Sequence, residues 1–415
     1  MRKWTGAIMG LVMAGQAIGI QAQEAGTAPD REISSIPMWD IEFSSDGLRG
    51  PGAQILETDM ANAQFVALGE DHGYADAPML ARGLAAEMRK TGRVYHVAEI
   101  GPHSERVVKQ ALATGGVGRL ADVLNGKPLA LPFLGHREDA ELAQDFVRDD
   151  GWVDLWGVDQ EFIGSTLLLL DRLIELAPNE DARGMVGDLL EKDRTAMVSG
   201  DQGALLMLSG TPDQFNDLRA GFPGNTEAQA IIASLAESAV IYQYNSTKRY
   251  FDNNYERIEL IKKQFLAEYH AADEEAPRVM LKMGAFHLGR GTTPTRMFDL
   301  GSVLPGLAAA NRKTSLHIVY GALSGEQLVM GPAAEGYFQV RPVKDRLVTP
   351  LLEAAGVDMS AIGPTGHYLI PLDPIRRKLG GKGISELGRF GQFLALGFDY
   401  IVTTRAGRPA TPLAE

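Results

Sequence analysis

Ionisable residues crowd the ends of four apolar runs in this sequence. Gln64-Phe65-Val66-Ala67-Leu68-Gly69 leads directly into Glu70-Asp71-His72-Gly73. Residues 93–100 carry Glu99 near their end, and 152–158 open onto Asp159-Gln160-Glu161. The run 278–284 holds Lys282 and reaches His287 just beyond it. Carboxylates and imidazoles are the side chains of general acid–base chemistry. An imidazole takes a proton from water, while a carboxylate orients the ring and stabilises its charged form. On this reading Glu70, His72, Glu99, His287, Arg257 and Lys282 form the catalytic set. His72 is the general base, Glu70 or Glu99 orients it, and Arg257 or Lys282 with His287 meets a developing oxyanion. Asp159, Glu161 and His103 are candidates for contacts with the substrate.

Each residue alone also has a structural reading. Glu70 can cap a helix starting near Asp76, and His72 or His287 can be an ordinary hydrogen-bonded histidine. Glu99 sits in a run so apolar that it should be buried. It then needs a partner such as Lys282 or Arg257. The other histidines (His96, His136, His270, His317 and His367) are read as structural.

The elements that must position these residues follow from apolar patterning. Short apolar runs bounded by turn residues predict strands over 64–69, 93–100, 152–158, 278–284, 315–322 and 399–404. Helical spacing separates them at 77–90, 104–112 and 136–148. From about 163 to 272 the strand signal disappears, and 167–176, 182–197 and 225–269 have helical spacing, the last as one long helix or two. This stretch is expected to be a helical insertion that caps the carboxyl edge of the strands and roofs the cleft. Strand–helix alternation predicts an α/β fold, a mainly parallel sheet with helices on both faces. Such sheets bind ligands outside the carboxyl ends of their strands, where the ionisable residues fall. Residues 59–415 are read as a single catalytic domain. Residues 23–58, rich in Gly, Pro and Ser, are read as a loosely packed leader with room for one short strand.

The start of the chain has the form of a secretory signal. Met1-Arg2-Lys3 is positive, and an apolar stretch runs to Ile20 ahead of Ala22. Residues 1–22 are expected to be removed near Ala22, leaving a periplasmic or secreted protein with no membrane span. Gly10, Gly15, Gln16 and Gly19 make the segment weak as a span of its own. With no cysteine, the chain has no disulfide and no thiol chemistry. A net charge of −13 without a basic stripe argues against a nucleic-acid partner and leaves a small-molecule substrate. No Gly-x-Ser-x-Gly elbow and no His-Glu-x-x-His zinc helix occurs. Gly380-Gly381-Lys382-Gly383 lacks the spacing of a phosphate loop.

These motifs resemble the erythromycin-esterase family, within a broader group that includes ChaN-like and TraB/Tiki-like proteins. Leu68-Gly69-Glu70-Asp71-His72-Gly73 is similar to the opening Glu–His signature, and Ala98-Glu99 to a second carboxylate at a strand end. Arg257-Ile258-Glu259-Leu260-Ile261-Lys262-Lys263-Gln264-Phe265 resembles a helical Arg-x-x-x-Met-Lys-x-Asn-Phe element. Lys282-Met283-Gly284-Ala285-Phe286-His287 resembles the strand that ends in a functional histidine. Gly397-Phe398-Asp399-Tyr400 and the segment 408–412 resemble the closing strand and tail. Ile261 and Gln264 depart from the helical motif, and the Glu–His spacing is that of ChaN-like proteins. The resemblance implies hydrolysis of an ester, lactone or amide and does not name a macrolide.

Two other readings use the same residues. As in TraB/Tiki-like relatives, Glu70, His72, Glu99 and His287 are ligands suited to a divalent metal such as zinc or manganese. As in ChaN-like proteins, the chain would be a haem binder without catalysis, with Tyr74, His103 or Tyr255 as axial ligands.

Overall fold

The computed structural model describes residues 35–414. The expected signal peptide and the first part of the leader lie outside the described residues. Eleven strands occur among them: β1 Trp39–Ser44, β2 Gly47–Arg49, β3 Ala63–Glu70, β4 Tyr95–Ala98, β5 Leu155–Gly157, β6 Val279–Gly284, β7 Thr314–Ala322, β8 Glu326–Met330, β9 Phe338–Pro342, β10 His367–Pro371 and β11 Tyr400–Thr404. Nine form one sheet in the order β2-β1-β10-β11-β7-β3-β6-β4-β5, and β8 with β9 forms a separate hairpin. From β11 to β5 every pairing is parallel, whereas β10, β1 and β2 extend the sheet antiparallel. The predicted α/β fold with a mainly parallel sheet is therefore present.

β3 is buried along its whole length because helices cover both faces of the sheet, which is why it reads as an unbroken apolar run. Its side chains alternate between two cores. Val66 and Leu68 pack with Leu80, Leu84 and Met88 of the helix Asp76–Arg89. Phe65 and Ala67 pack with Ile261 and Phe265 of the helix Tyr250–Ala271 and with Leu304 of the helix Leu300–Ala310. The chain passes from β3 to β4 and β5, returns to lay β6 beside β3, then crosses to β7 on the other side of β3. That reversal places the carboxyl end of β3 at the switch point of the sheet. No described helix is long and apolar enough to cross a membrane.

The insertion consists of helices, including Thr166–Leu176, Glu180–Ser199, Thr226–Ser246 and Tyr250–Ala271, with a core of their own. The stretch 225–269 is two helices, broken at 247–249 where Lys248 takes a positive φ. One expectation needs correction. Residues 39–58, read as part of a loose leader, lie in β1, β2 and the helix Pro51–Met60, and β1 pairs with β10. Here Gly50 and Pro51 mark a tight helix start rather than looseness, with proline at the first helical turn and Gly50 at a φ of 91°.

Candidate active site

Alternation along β3 sends Glu70 to the same face as Val66 and Leu68, and Lys282 of β6 faces the same layer, beside Met280. Lys282 Nζ donates to Glu70 Oε1 at 2.5 Å and to Asp139 Oδ1 at 2.6 Å. Asp139 comes from the helix Arg137–Gln144 and also contacts His136 Nδ1 at 3.3 Å. The ammonium is thus buried between two carboxylates, which hold its pKa above the ordinary lysine value even though burial opposes the charge. Glu70 does not cap the following helix. Asp76 occupies that turn, and its carboxylate accepts from Arg408 and Tyr320.

His72 sits two residues beyond, with its side chain 27% exposed on the cleft floor. Its Nδ1 lies 2.9 Å from Glu70 Oε1 and its Nε2 lies 3.4 Å from Glu99 Oε2. Phe133 stacks on the ring at 3.9 Å between centroids. Burial disfavours the imidazolium, but the Glu99 charge and the hydrogen bond to Glu70 outweigh it and raise His72 to about 9. Glu99 Oε2 accepts the Gly284 N–H at 2.7 Å, and Oε1 accepts from Arg257 Nη2 at 2.8 Å. Although burial opposes its charge, His72 and His287 hold the Glu99 carboxyl well below the usual range. His287 Nε2 lies 3.5 Å from Glu99 Oε1, and its Nδ1 lies 2.9 Å from Asp299 Oδ2. Against burial, Asp299 and Glu99 raise His287 to about 10. Asp159 grips Arg257 from behind, at Nε (2.9 Å) and Nη2 (2.5 Å). Arg257 Nη1 makes no hydrogen bond among the described residues.

The six residues read as catalytic therefore meet in one network, and five of them (Glu70, His72, Glu99, Arg257 and His287) line a cleft of about 530 Å³. Lys282 lies beneath the floor. Asp159 acts as the anchor of Arg257 and does not line the cleft. Glu161 and His103, read as substrate contacts, lie elsewhere. Glu161 accepts the His103 N–H at 2.8 Å and the Ser104 hydroxyl at 2.5 Å, and so tethers the start of the helix Pro102–Leu124. Burial pushes Glu161 up to about 7 against these bonds, while burial and Arg106 push His103 down to about 4. Both were drawn in by closeness in sequence to a strand end. The Glu161 carboxylate is spent on the helix start, and the His103 side chain does not line the cleft.

Arg257 is the sole lining residue from the helical insertion, whose helices cover the β4–β5 side. The other wall is made by Phe286, Val319 and residues 344–348, with Phe390 and Leu394 from the helix Arg389–Gly397. Sequence reading missed these residues along with Asp139, Asp299 and Phe133. Asp299 did leave a signal, since an Asp directly before the apolar helical run 300–310 is a capping pattern, and its Oδ1 accepts the Leu300 N–H.

The donor set does not suit a metal. The oxygens of Glu99 are bound to Arg257 and Gly284, and Lys282 holds Glu70 Oε1. Among the described residues no group of three or more His, Asp or Glu is arranged to hold an ion. Of the residues read as haem ligands, Tyr74 lines the cleft, His103 is packed at a helix start, and Tyr255 is exposed and stacked on Phe251.

No protein-family model matches the sequence, and no curated protein does. Solved structures do. A histidine-to-asparagine mutant of erythromycin esterase EreC, in its open conformation, superposes with a TM-score of 0.57 at 14% identity, over 89% of this chain and 98% of that one. The chain shares its fold with erythromycin esterase. A protein from Bacillus cereus matches with a TM-score of 0.53 at 12% identity, covering 90% of this chain and 96% of that one. A succinoglycan biosynthesis protein gives 0.53 at 15%, covering 86% and 91%. Identities this low establish the fold alone.

Proposed function

We propose that the chain is a hydrolase that cleaves an ester or lactone bond of a small molecule with activated water, as a functional member of the erythromycin-esterase group. The observation that carries this reading is the pairing of two imidazoles across one buried carboxylate. His72 and His287 approach Glu99 from opposite sides, each held at Nδ1 by its own acid. Glu70 fixes the His72 ring and leaves Nε2 as the working nitrogen. With its proton gone, Nε2 takes one from water as the oxygen attacks the carbonyl carbon. It then returns that proton to the departing alkoxide when the C–O bond breaks. The charge on the tetrahedral oxygen falls to Arg257 Nη1 and to the protonated His287. A positioned base supplies roughly 10²–10⁴-fold, and an oxyanion donor about 10²–10³-fold more. The scheme needs no metal, because Lys282 and Arg257 already balance the buried carboxylates. The expected signal peptide supports an exported enzyme, periplasmic or secreted.

The test is turnover of a panel of aryl esters and lactones by the mature protein, with and without chelator. His72→Ala should lower kcat by at least about 10²-fold while the melting temperature is kept. Full activity in that variant would end the assignment, and turnover lost to chelator and restored by metal would replace water activation by imidazole with metal chemistry.

A further inference from the structure

The cleft has a second charged region that the chemistry above does not use. Lys344 and Arg346 line it and are exposed. Neither has a carboxylate within 4.0 Å among the described residues, in contrast to the other cations of the cleft. Arg257 is bound to Asp159 and Glu99, and the two histidines are each paired with acids. The acid between them is committed elsewhere. Asp345 accepts the N–H groups of Leu347, Val348 and Thr349 at 2.9, 2.9 and 2.7 Å, and so starts the helix Val348–Ala354. The segment is anchored at both ends, by Val343 N–H on Gly325 O at 3.0 Å and by buried Val348. Phe286, Val319, Phe390 and Leu394 give the same cleft an apolar surface. In a chain of net charge −13, two cations without an ion-pair partner among the described residues stand out in this cleft, even beside the lining carboxylates Asp71 and Asp345.

We infer that Lys344 and Arg346 bind an anionic group of the substrate, a carboxylate joined to the scissile ester by an apolar body that lies along Phe286, Val319 and Phe390. The enzyme then acts on amphipathic acid esters in preference to neutral ones. This specificity rests on the hydrolase reading for its turnover but not for its binding. The cations are exposed, so their contribution is modest and screened by salt.

The experiment compares monomethyl with dimethyl esters of linear dicarboxylic acids from glutarate to sebacate. It uses the wild-type protein and a Lys344→Met/Arg346→Met double variant, whose exposed substitutions leave the core alone. Turnover gives kcat/KM, and calorimetry on His72→Ala protein gives Kd for the same esters. The expected result is a preference of about tenfold for the monoester at its best chain length, carried by KM, reduced by salt and lost in the double variant. Equal handling of the two ester series overturns the inference, and so does a preference that survives in the double variant. If no ester is turned over, the hydrolase reading fails and Kd decides. Tighter monoester binding that needs Lys344 and Arg346 upholds the anion site, and equal binding removes it.

Discussion

At the scale of single residues, the site is a buried ledger of charge in which each carboxylate meets a cation. Its two imidazoles are held in the protonated form at neutral pH by Glu99, Glu70 and Asp299. The consequences for stability and for activity run in opposite directions. His72 is raised from 6.5 to about 9, so the stability it lends is complete below about 6.5 and fades as pH rises through 9. His287, raised to about 10, extends that loss to higher pH. In the proposed hydrolysis, by contrast, the working base is neutral His72, so kcat/KM should climb about tenfold per pH unit from 6 towards 9 while the urea midpoint falls from 7 to 10. A flat rate profile between pH 6 and 9 would exclude His72 as the base. Glu70, His72, Glu99 and His287 were legible because polar residues at the ends of apolar runs are costly unless they are used. Asp139 was not, since a helix in its sequence neighbourhood presents acids at every turn and only the fold brings this one to Lys282.

At the scale of elements, the joint after β6 shows how backbone shapes the chemistry. Gly284 donates its N–H to Glu99, and a β-carbon there would lie 2.9 Å from His72 Nε2. Its φ of −50° is open to any residue, so the glycine is needed for space rather than for conformation. Gly284→Ala should therefore lower kcat/KM about 10-fold or more by displacing the imidazole, with little change in melting temperature. An alanine variant of normal activity would show that the ring has room to move. Strands β3, β6 and β7 were readable because burial on both faces gives largely apolar runs. β1 and β2 were legible only as room for one short strand, because they are partly exposed and carry no continuous apolar run. The wall at 344–348 left no signal either, since its position depends on a loop that follows the β8–β9 hairpin.

At the scale of the whole molecule, the segment after β11 ties distant parts together. Arg408 reaches buried Asp76 through Nε at 2.7 Å, Pro409 bridges to Tyr74, Pro412 bridges to His136, and Leu413 enters the core beside Leu134. Arg408→Ala should lower stability by about 1–2 kcal/mol, because Asp76 keeps the Arg408 N–H and the Tyr320 hydroxyl. Urea denaturation measures this, and an unchanged midpoint would mean that the exposed guanidinium adds nothing. This closing segment also sets an order of events in time. The loop that bears His72 is tied through Gly73 and Ala75 to Ala410 and Arg408, and Arg408 also holds Asp76 at a separation of 332 positions, so these supports need nearly the whole chain to be in place. Contacts between such distant residues form late and slowly. In that interval the loop after β3 lacks these ties, and on the proposed reading catalytic competence should be the last property that a refolding chain regains.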